Sequence, residues 1–182
     1  TVDGPEYECA AGLGANLGVF DPQAILEENF YCDTYGIDLI SFGTCTAFIM
    51  ECYQRGQITQ EQMGGLDLCF GNSKAVLELL HQISRGEGFG RIAGLGIRKL
   101  KKIFTEEFGA DPKLLQDIGM ETKGLEYSEY AHKESLAQQG GFAMATKGWL
   151  LYTSDAADDL LCVDFGGRRS LNKKTYTLST IT

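Results

Sequence analysis

The sequence predicts a mainly α-helical fold, and three observations support this class. Apolar residues recur at the spacing of one helix face in several runs, and residues that favour helix ends bound these runs. No alternating strand pattern of convincing length occurs before Gly148. The chain has 182 residues, of which 43% are hydrophobic, so it can bury one ordinary core. We therefore expect an irregular helical domain.

The clearest helix signal begins at Asp21. This residue is a typical N-cap, and Pro22 follows it at the first helical position, where proline has no useful amide hydrogen to lose. Gly36 offers a left-handed stop at the other end. The residues at helical spacing between these ends are Ile25, Leu26, Asn29 and Cys32. We predict one helix between Asp21 and Gly36.

A second helix is predicted to follow directly, from residue 39 to residue 53, with Asp38 as its N-cap. The free amide groups and the positive dipole end of this helix would then lie beside the carboxylate of Asp33. Such a joint could bind a flat heterocycle that carries both donors and acceptors. The alternative is that Asp33 is a solvated last-turn residue and Asp38 only a cap.

The rest of the chain gives further helix signals. Thr59 and Gln62 have the spacing of a capping box and predict a short helix that ends at residues 64–65. Ser73 is expected to cap a helix that closes at Gly86. The remaining predictions are a helix at residues 91–104, another beginning at residues 111–112, and an irregular or extended segment at residues 119–130.

Glu8 is the first candidate for proton chemistry. It precedes a stretch rich in small residues, and tight packing there would desolvate its carboxylate and raise its pKa towards that of a general acid or base. The alternative is an ordinary surface glutamate. The glycines of this stretch miss the dinucleotide-binding fingerprint by one residue, and no strand pattern precedes them, so a nucleotide site is rejected.

Glu78 and His81 form a candidate metal-binding pair. They lie three residues apart on a predicted helix and therefore share one face, which is the E-x-x-H spacing that helical bundles use to present an oxygen and a nitrogen to a metal. The alternative is a hydrogen bond between the two side chains with no metal.

Charge and hydropathy exclude several classes of function. The net charge of −9 argues against binding to nucleic acid or to an anionic membrane surface. No window of eighteen apolar residues is present, and the first residues do not read as an export signal, so we expect no membrane span.

The six cysteines are far apart and form no C-x-x-C pair, so they supply no local zinc or iron–sulfur ligand set. We expect mostly buried, reduced thiols and hence a cytoplasmic protein.

The character of the sequence changes at Trp149. Residues 149–182 resemble the conceptual translation of sequencing-library adaptor DNA and end in a stretch rich in Lys and Thr. We therefore divide the chain into a helical domain at residues 1–148 and a tail at residues 149–182 that is not a native domain. The alternative is a genuine β-hairpin tail.

Residues 7–41, 50–59, 64–72, 75–90 and 123–130 resemble the middle, helical domain of the tungsten-containing aldehyde ferredoxin oxidoreductase family. The family motif D-x-x-G-[LI]-D falls on Asp33, Gly36, Ile37 and Asp38, and by resemblance contacts one of the two pterins that hold tungsten.

By the same resemblance, Glu8 falls on the glutamate that handles protons near the metal. Glu27 and His81 fall where some members bind an iron ion at a dimer interface.

The resemblance implies an enzyme that oxidises a small aldehyde to a carboxylic acid. Its tungstopterin would pass two electrons through a [4Fe-4S] cluster to ferredoxin or another electron-transfer subunit. The cluster cysteines of the family and its second pterin motif fall outside residues 1–148. We therefore expect a fragment, truncated at both ends and inactive alone.

Two alternatives remain open. Residues 124–130 and 133–139 look closer to the tungsten subunit of ATP-independent benzoyl-coenzyme A reductases, which reduces an aromatic acyl-coenzyme A. The histidine of the aldehyde-oxidising pocket is also absent from residues 138–142. A third, non-enzymatic hypothesis is a helical interaction domain in which Glu8, Asp33 and Asp38 are caps and surface charges.

Overall fold

The computed structural model of the chain describes residues 4–129 together with residues 136 and 140. Within this part of the chain the structure is mainly α-helical, which confirms the predicted class. The helices in chain order are α1 Tyr7–Leu13, α2 Pro22–Tyr35, α3 Leu39–Gln54, α4 Ser73–Arg85, α5 Gly90–Ala93, α6 Ile97–Glu106 and α7 Pro112–Ile118. A 3₁₀ turn, Ala15–Leu17, follows α1, and the short strands β1 Glu121–Thr122 and β2 Leu125–Glu126 form an antiparallel hairpin.

The predicted limits of α2 and the predicted start of α3 are confirmed. The Asp21 side chain accepts a hydrogen bond from the Gln23 amide, and Pro22 is the first residue of α2. Gly36 ends α2 in the left-handed conformation with φ of 68°. Asp38 then caps α3 by accepting a hydrogen bond of 2.7 Å from the Ser41 amide. The caps are local hydrogen bonds, which explains why the sequence predicts them well.

Helix α3 is the centre of the fold. Its buried residues lie on most of its surface, and it contacts α1, α2, α5, α7 and the hairpin. Gly43 of α3 lies directly against the backbone of α1, because a Cβ atom there would come within 2.9 Å of the Gly12 carbonyl oxygen. Two glycines at one crossing let the helices approach closely. This crossing brings α1, which carries Glu8, onto the central helix.

Three predicted segments differ from the structure. Thr59 and Gln62 make both hydrogen bonds of a capping box, but the segment after them is a set of turns and not a helix. The helix predicted at residues 91–104 is two helices, because Gly96 has φ of 83° and breaks the helical path between α5 and α6. The N-cap of α4 is Asn72, so Ser73 is its first helical residue.

The tail from Trp149 to residue 182 lies outside the described residues, so its assignment stays a prediction. Among the described residues, no helix is both long enough and apolar enough to span a membrane.

Candidate functional site

The joint between α2 and α3 presents two exposed carboxylates. An oxygen of Asp33 accepts a hydrogen bond of 3.1 Å from the Asn29 side chain, one turn earlier on α2. Asp38 uses Oδ1 for the cap of α3. Gly36 lies between them, and nothing occupies the space within 4 Å of the point where its Cβ would be. The structure is therefore compatible both with a ligand-binding role and with a merely capping or solvated role for the two carboxylates, because each makes a local bond and still faces solvent.

A cavity of about 350 Å³ opens beside this joint. Ile37 and Asp38 line its rim, and the first turns of α3 form one wall. The remaining walls are formed by Ile83 of α4, by the end of α5 with the turn after it, and by the hairpin. Two of the residues predicted to bind a cofactor thus line a half-open cavity of small-molecule size.

Glu126 anchors the wall of this cavity. It is only 5% exposed, and its carboxylate accepts hydrogen bonds from Ser41 Oγ at 3.0 Å, Cys45 Sγ at 3.4 Å and the Ile97 amide at 2.8 Å. These bonds tie the hairpin to α3 and to the start of α6. Because the Ser41 amide also caps against Asp38, Glu126 supports the geometry of the joint. The sequence predicts an irregular or extended segment here, but no motif in it singles out Glu126.

Glu8 lies on α1 in a half-buried position, close enough to two other acidic groups for their charges to interact. Burial raises the pKa of Glu129, hydrogen bonds partly oppose this, and the charges of Glu8 and Asp38 raise it further. Burial likewise raises the pKa of the Cys9 thiol, and the nearby carboxylates of Asp33 and Glu8 add to this effect. The charge of Glu8 therefore acts on the same two groups as the carboxylates of the joint, with Asp33 on Cys9 and with Asp38 on Glu129.

Glu27 and His81 lie on two helices that pack together, α2 and α4. Glu27 is exposed, and His81 is half-buried. His81 Nδ1 lies 3.0 Å from the Tyr35 hydroxyl, and the rings of Tyr31 and Tyr35 meet the imidazole edge to face. A metal would therefore have to bind Nε2 of this ring.

Glu78 is not the partner of His81 among the described residues. Its carboxylate accepts a hydrogen bond of 3.2 Å from the Gln82 side chain and pairs with Arg85 at 3.5 Å. The alternative of an i, i+3 Glu–His hydrogen bond is therefore not realised. Within residues 4–129 no group of three or more His, Cys, Asp or Glu side chains is arranged to bind a metal ion.

Comparison with known proteins identifies the family. The family described as "Aldehyde ferredoxin oxidoreductase, domains 2 & 3" matches residues 1–155. The chain belongs to the aldehyde ferredoxin oxidoreductase family. This is a family of oxidoreductases, and the match confirms the resemblance that the motifs of the sequence indicated.

Among relatives in this family, a tungsten-containing aldehyde ferredoxin oxidoreductase of Pyrococcus abyssi is 44% identical over 111 residues, which cover 58% of this chain and 18% of that protein. A protein of the same description from Pyrococcus furiosus is 33% identical over 147 residues, which cover 80% of this chain and 23% of that protein. An aliphatic sulfonate oxidoreductase, WOR-like subunit, from the same organism is 38% identical over 109 residues, which cover 60% of this chain and 17% of that protein. The chain thus spans about a fifth of the length of these relatives.

Glu28 is a feature of this family member that sequence reasoning missed. It lies on α2 between Glu27 and the joint, is 1% exposed, and neither oxygen of its carboxylate has a hydrogen-bond partner among the described residues. Burial raises its pKa from 4.5 to about 8, and the charge of Glu27 adds to the shift. Two adjacent glutamates are typical of a solvated helix face. Only the packing of α2 shows that Glu28 is buried while Glu27 is exposed.

Two buried thiols, those of Cys32 and Cys52, are poor metal ligands as they stand. Burial raises the pKa of Cys32 and of Cys52 to about 12, and neighbouring carboxylates strengthen both shifts. Protonated thiols of this kind bind metal weakly, because the thiolate is the ligand form. No ligand set for an iron–sulfur cluster is found in the described part of the chain.

Proposed function

We propose that this chain is part of a tungstopterin oxidoreductase that oxidises aldehydes to carboxylic acids, and that residues 33–38 contact one pterin of its cofactor. The main support for this proposal is the joint between α2 and α3. There the family motif coincides with the exposed carboxylates of Asp33 and Asp38 on either side of the unobstructed Gly36. The names of the relatives support tungsten as the metal.

The chemistry of the joint fits a pterin. The pyrimidine ring of a pterin carries N–H donors, and Asp33 and Asp38 offer carboxylate oxygens to accept them. Gly36 has no side chain to keep a flat ring away from the backbone, and half-buried Ile37 offers an apolar contact. Charge-assisted hydrogen bonds from two aspartates would fix the ring in one orientation.

The bound tungsten would supply the two-electron redox chemistry of the reaction. This chain supplies the pterin contacts and, in Glu8, a carboxylate to accept a proton from the attacking water. The two electrons would leave through a [4Fe-4S] cluster to ferredoxin or another electron-transfer subunit. The cysteines for that cluster would come from other parts of the full-length protein, which we place in the cytoplasm.

Glu27 and His81 are proposed to bind an iron ion between two copies of the enzyme. One chain contributes too few ligands alone, but a two-fold axis would double the pair to four. The Tyr35 hydroxyl at His81 Nδ1 would then orient the imidazole, as partners of the second ring nitrogen do at metal sites.

The reaction is tested with the full-length gene product, purified without oxygen from cells grown with tungstate. It is assayed with a panel of aldehydes and a one-electron acceptor dye, and separately with benzoyl-coenzyme A and a low-potential reductant. We expect turnover of aldehydes with one carboxylic acid formed per two electrons. Turnover of benzoyl-coenzyme A alone would overturn this proposal in favour of aromatic-ring reduction.

A further inference from the structure

Glu129 follows β2 in the chain, and its carboxylate lies against the backbone of α1 at Gly12. A Cβ atom at Gly12 would come within 2.9 Å of Glu129 Oε1 and 3.3 Å of Oε2. The carboxylate therefore fills the space above Gly12 that a side chain would otherwise occupy. Position 12 lacks a side chain, and this absence admits an acidic group from a distant segment.

This location places Glu129 on the same face of α1 as Glu8. Residues 8 and 12 are four apart in a helix, so their Cβ positions are about 5–6 Å from each other. The charges of Glu8 and of Asp38, at the start of α3, both act on Glu129, and both are negative. Like charges at this separation disfavour simultaneous ionisation.

Among the described residues, one oxygen of Glu129 has a neutral donor and the other has none. Thr44 Oγ1 of α3 donates to Oε1 at 3.2 Å, although the same hydroxyl also lies 2.8 Å from the Tyr127 carbonyl oxygen. Oε2 is buried and has no hydrogen-bond partner among the described residues. A buried carboxylate oxygen without a donor favours the protonated form of the group.

We propose that Glu8 and Glu129 form a coupled pair that shares a proton, with Glu129 as the positioning residue that keeps this proton next to Glu8. The pair is inferred from the contacts above, and its use in catalysis rests on the proposed aldehyde oxidation. Two carboxyl groups in different surroundings are a recurring way to divide acid and base roles.

The overall reaction is RCHO + H₂O → RCOOH + 2 H⁺ + 2 e⁻. The oxygen of water bonds to the carbonyl carbon while one of its O–H bonds breaks, and that proton goes to Glu8. The second proton comes from the C–H bond of the aldehyde, and the two electrons go to the proposed redox centre and then to ferredoxin. The pair, which already holds one proton on Glu129, then holds two, and release of one of them to solvent returns Glu8 to its base form.

The pair is tested by infrared titration of side-chain carboxyl groups in the full-length protein, prepared both with and without tungstate. Glu129→Gln assigns the signal of Glu129 by its loss. In Glu8→Gln the Glu129 signal should titrate about one pH unit lower than in the parent, because a negative neighbour is removed. In Thr44→Val it should move upward by up to about one unit, because the carboxylate loses a donor. Glu61→Gln, an exposed glutamate in a turn, is the control and should change nothing.

An identical titration of Glu129 in the parent and in Glu8→Gln would overturn the pair. Because the metal-free protein gives the same readout, this test does not depend on activity. Coupled titration without aldehyde turnover would support the pair and overturn only its catalytic use. Aldehyde turnover by a protein in which Glu8 and Glu129 titrate independently would overturn the pair and leave the proposed function standing.

Discussion

Helix α2 takes part in two candidate sites, and they differ in how much of their chemistry the protein itself already uses. At its C-terminal end, Asp33 and Asp38 make local hydrogen bonds but remain exposed beside a cavity of about 350 Å³. On the face that meets α4, Glu78 is engaged by Gln82 and Arg85, and one nitrogen of His81 faces Tyr35. The carboxylates of the joint can therefore accept further bonds from a ligand, whereas most polar atoms of the α4 face are already engaged.

The spacing of a motif and the availability of its atoms to a ligand are therefore separate properties. A motif fixes which residues share a face or a turn, but packing decides which of their atoms can still bind something. The joint is therefore the stronger cofactor candidate within one chain. The α4 face becomes a metal site only if a second copy completes it.

The largest effect is expected at the joint. Asp38→Ala should lower the pterin and tungsten content of the full-length protein at least tenfold, because it removes both a ligand contact and the cap of α3. Asp38→Asn keeps a good cap but loses the charge, so a similar loss there would assign the effect to the cofactor. Cofactor content is measured by metal analysis and by fluorescence of oxidised pterin.

Asp111→Ala is the matched control for these variants. Asp111 caps α7 by the same kind of bond, to the Lys113 amide at 3.0 Å, away from the joint. It should cost about 1 kcal/mol of stability and leave cofactor content unchanged. Equal cofactor loss in Asp111→Ala and Asp38→Ala would mean that the joint is only structural.

The next effect concerns Glu28, which lies on α2 between the two regions. Its pKa is raised to about 8, so between pH 4.5 and pH 8 the folded chain retains a proton that the unfolded chain releases. Stability should therefore fall as pH rises through this window, by up to about 1.4 kcal/mol per pH unit, and level off above it.

Glu28→Met should remove this slope and stabilise the 182-residue chain by about 2 kcal/mol at pH 8. The reason is that an apolar group replaces a buried carboxylate that has no hydrogen-bond partner among the described residues. Urea unfolding at pH 5 and pH 8 measures both effects. Glu27→Met changes the exposed neighbour and should keep most of the slope. A parent chain with no slope in this window would show that Glu28 is partnered or hydrated.

The smallest effect is expected on the α4 face. Tyr35→Phe removes the partner of His81 Nδ1 and should weaken iron binding by the full-length protein roughly tenfold, while His81→Ala should abolish it. Iron content is measured in the dimer fraction after gel filtration. Iron that persists in His81→Ala would exclude this face as the site.

The sequence predicts the local parts of this fold well. The limits of α2 and the cap of α3 follow from Asp21, Gly36 and Asp38, whose hydrogen bonds join residues within a few positions of each other. The position of the joint follows from the same local signals, whereas the cofactor-binding role of its residues stays a prediction. Local hydrogen bonds need no knowledge of the remaining chain.

Contacts between distant segments are not predicted. Glu126 bonds to Ser41 across 85 positions, and Glu129 reaches Thr44 across the same separation. The burial of Glu28 depends on which side of α2 meets its neighbours, and its own sequence suggests a solvated pair. The break at Gly96 between α5 and α6 is hidden because the apolar spacing continues on both sides of it.

The most direct test of the cofactor assignment is the elemental and pterin analysis of the full-length gene product, purified without oxygen from cells supplied with tungstate. We predict one tungsten and two pterins per protein chain, with the content reduced in Asp38→Asn and unchanged in Asp111→Ala. A folded protein that contains neither tungsten nor pterin would contradict the assignment. The carboxylates of the joint would then be caps and surface charges of a helical interaction domain.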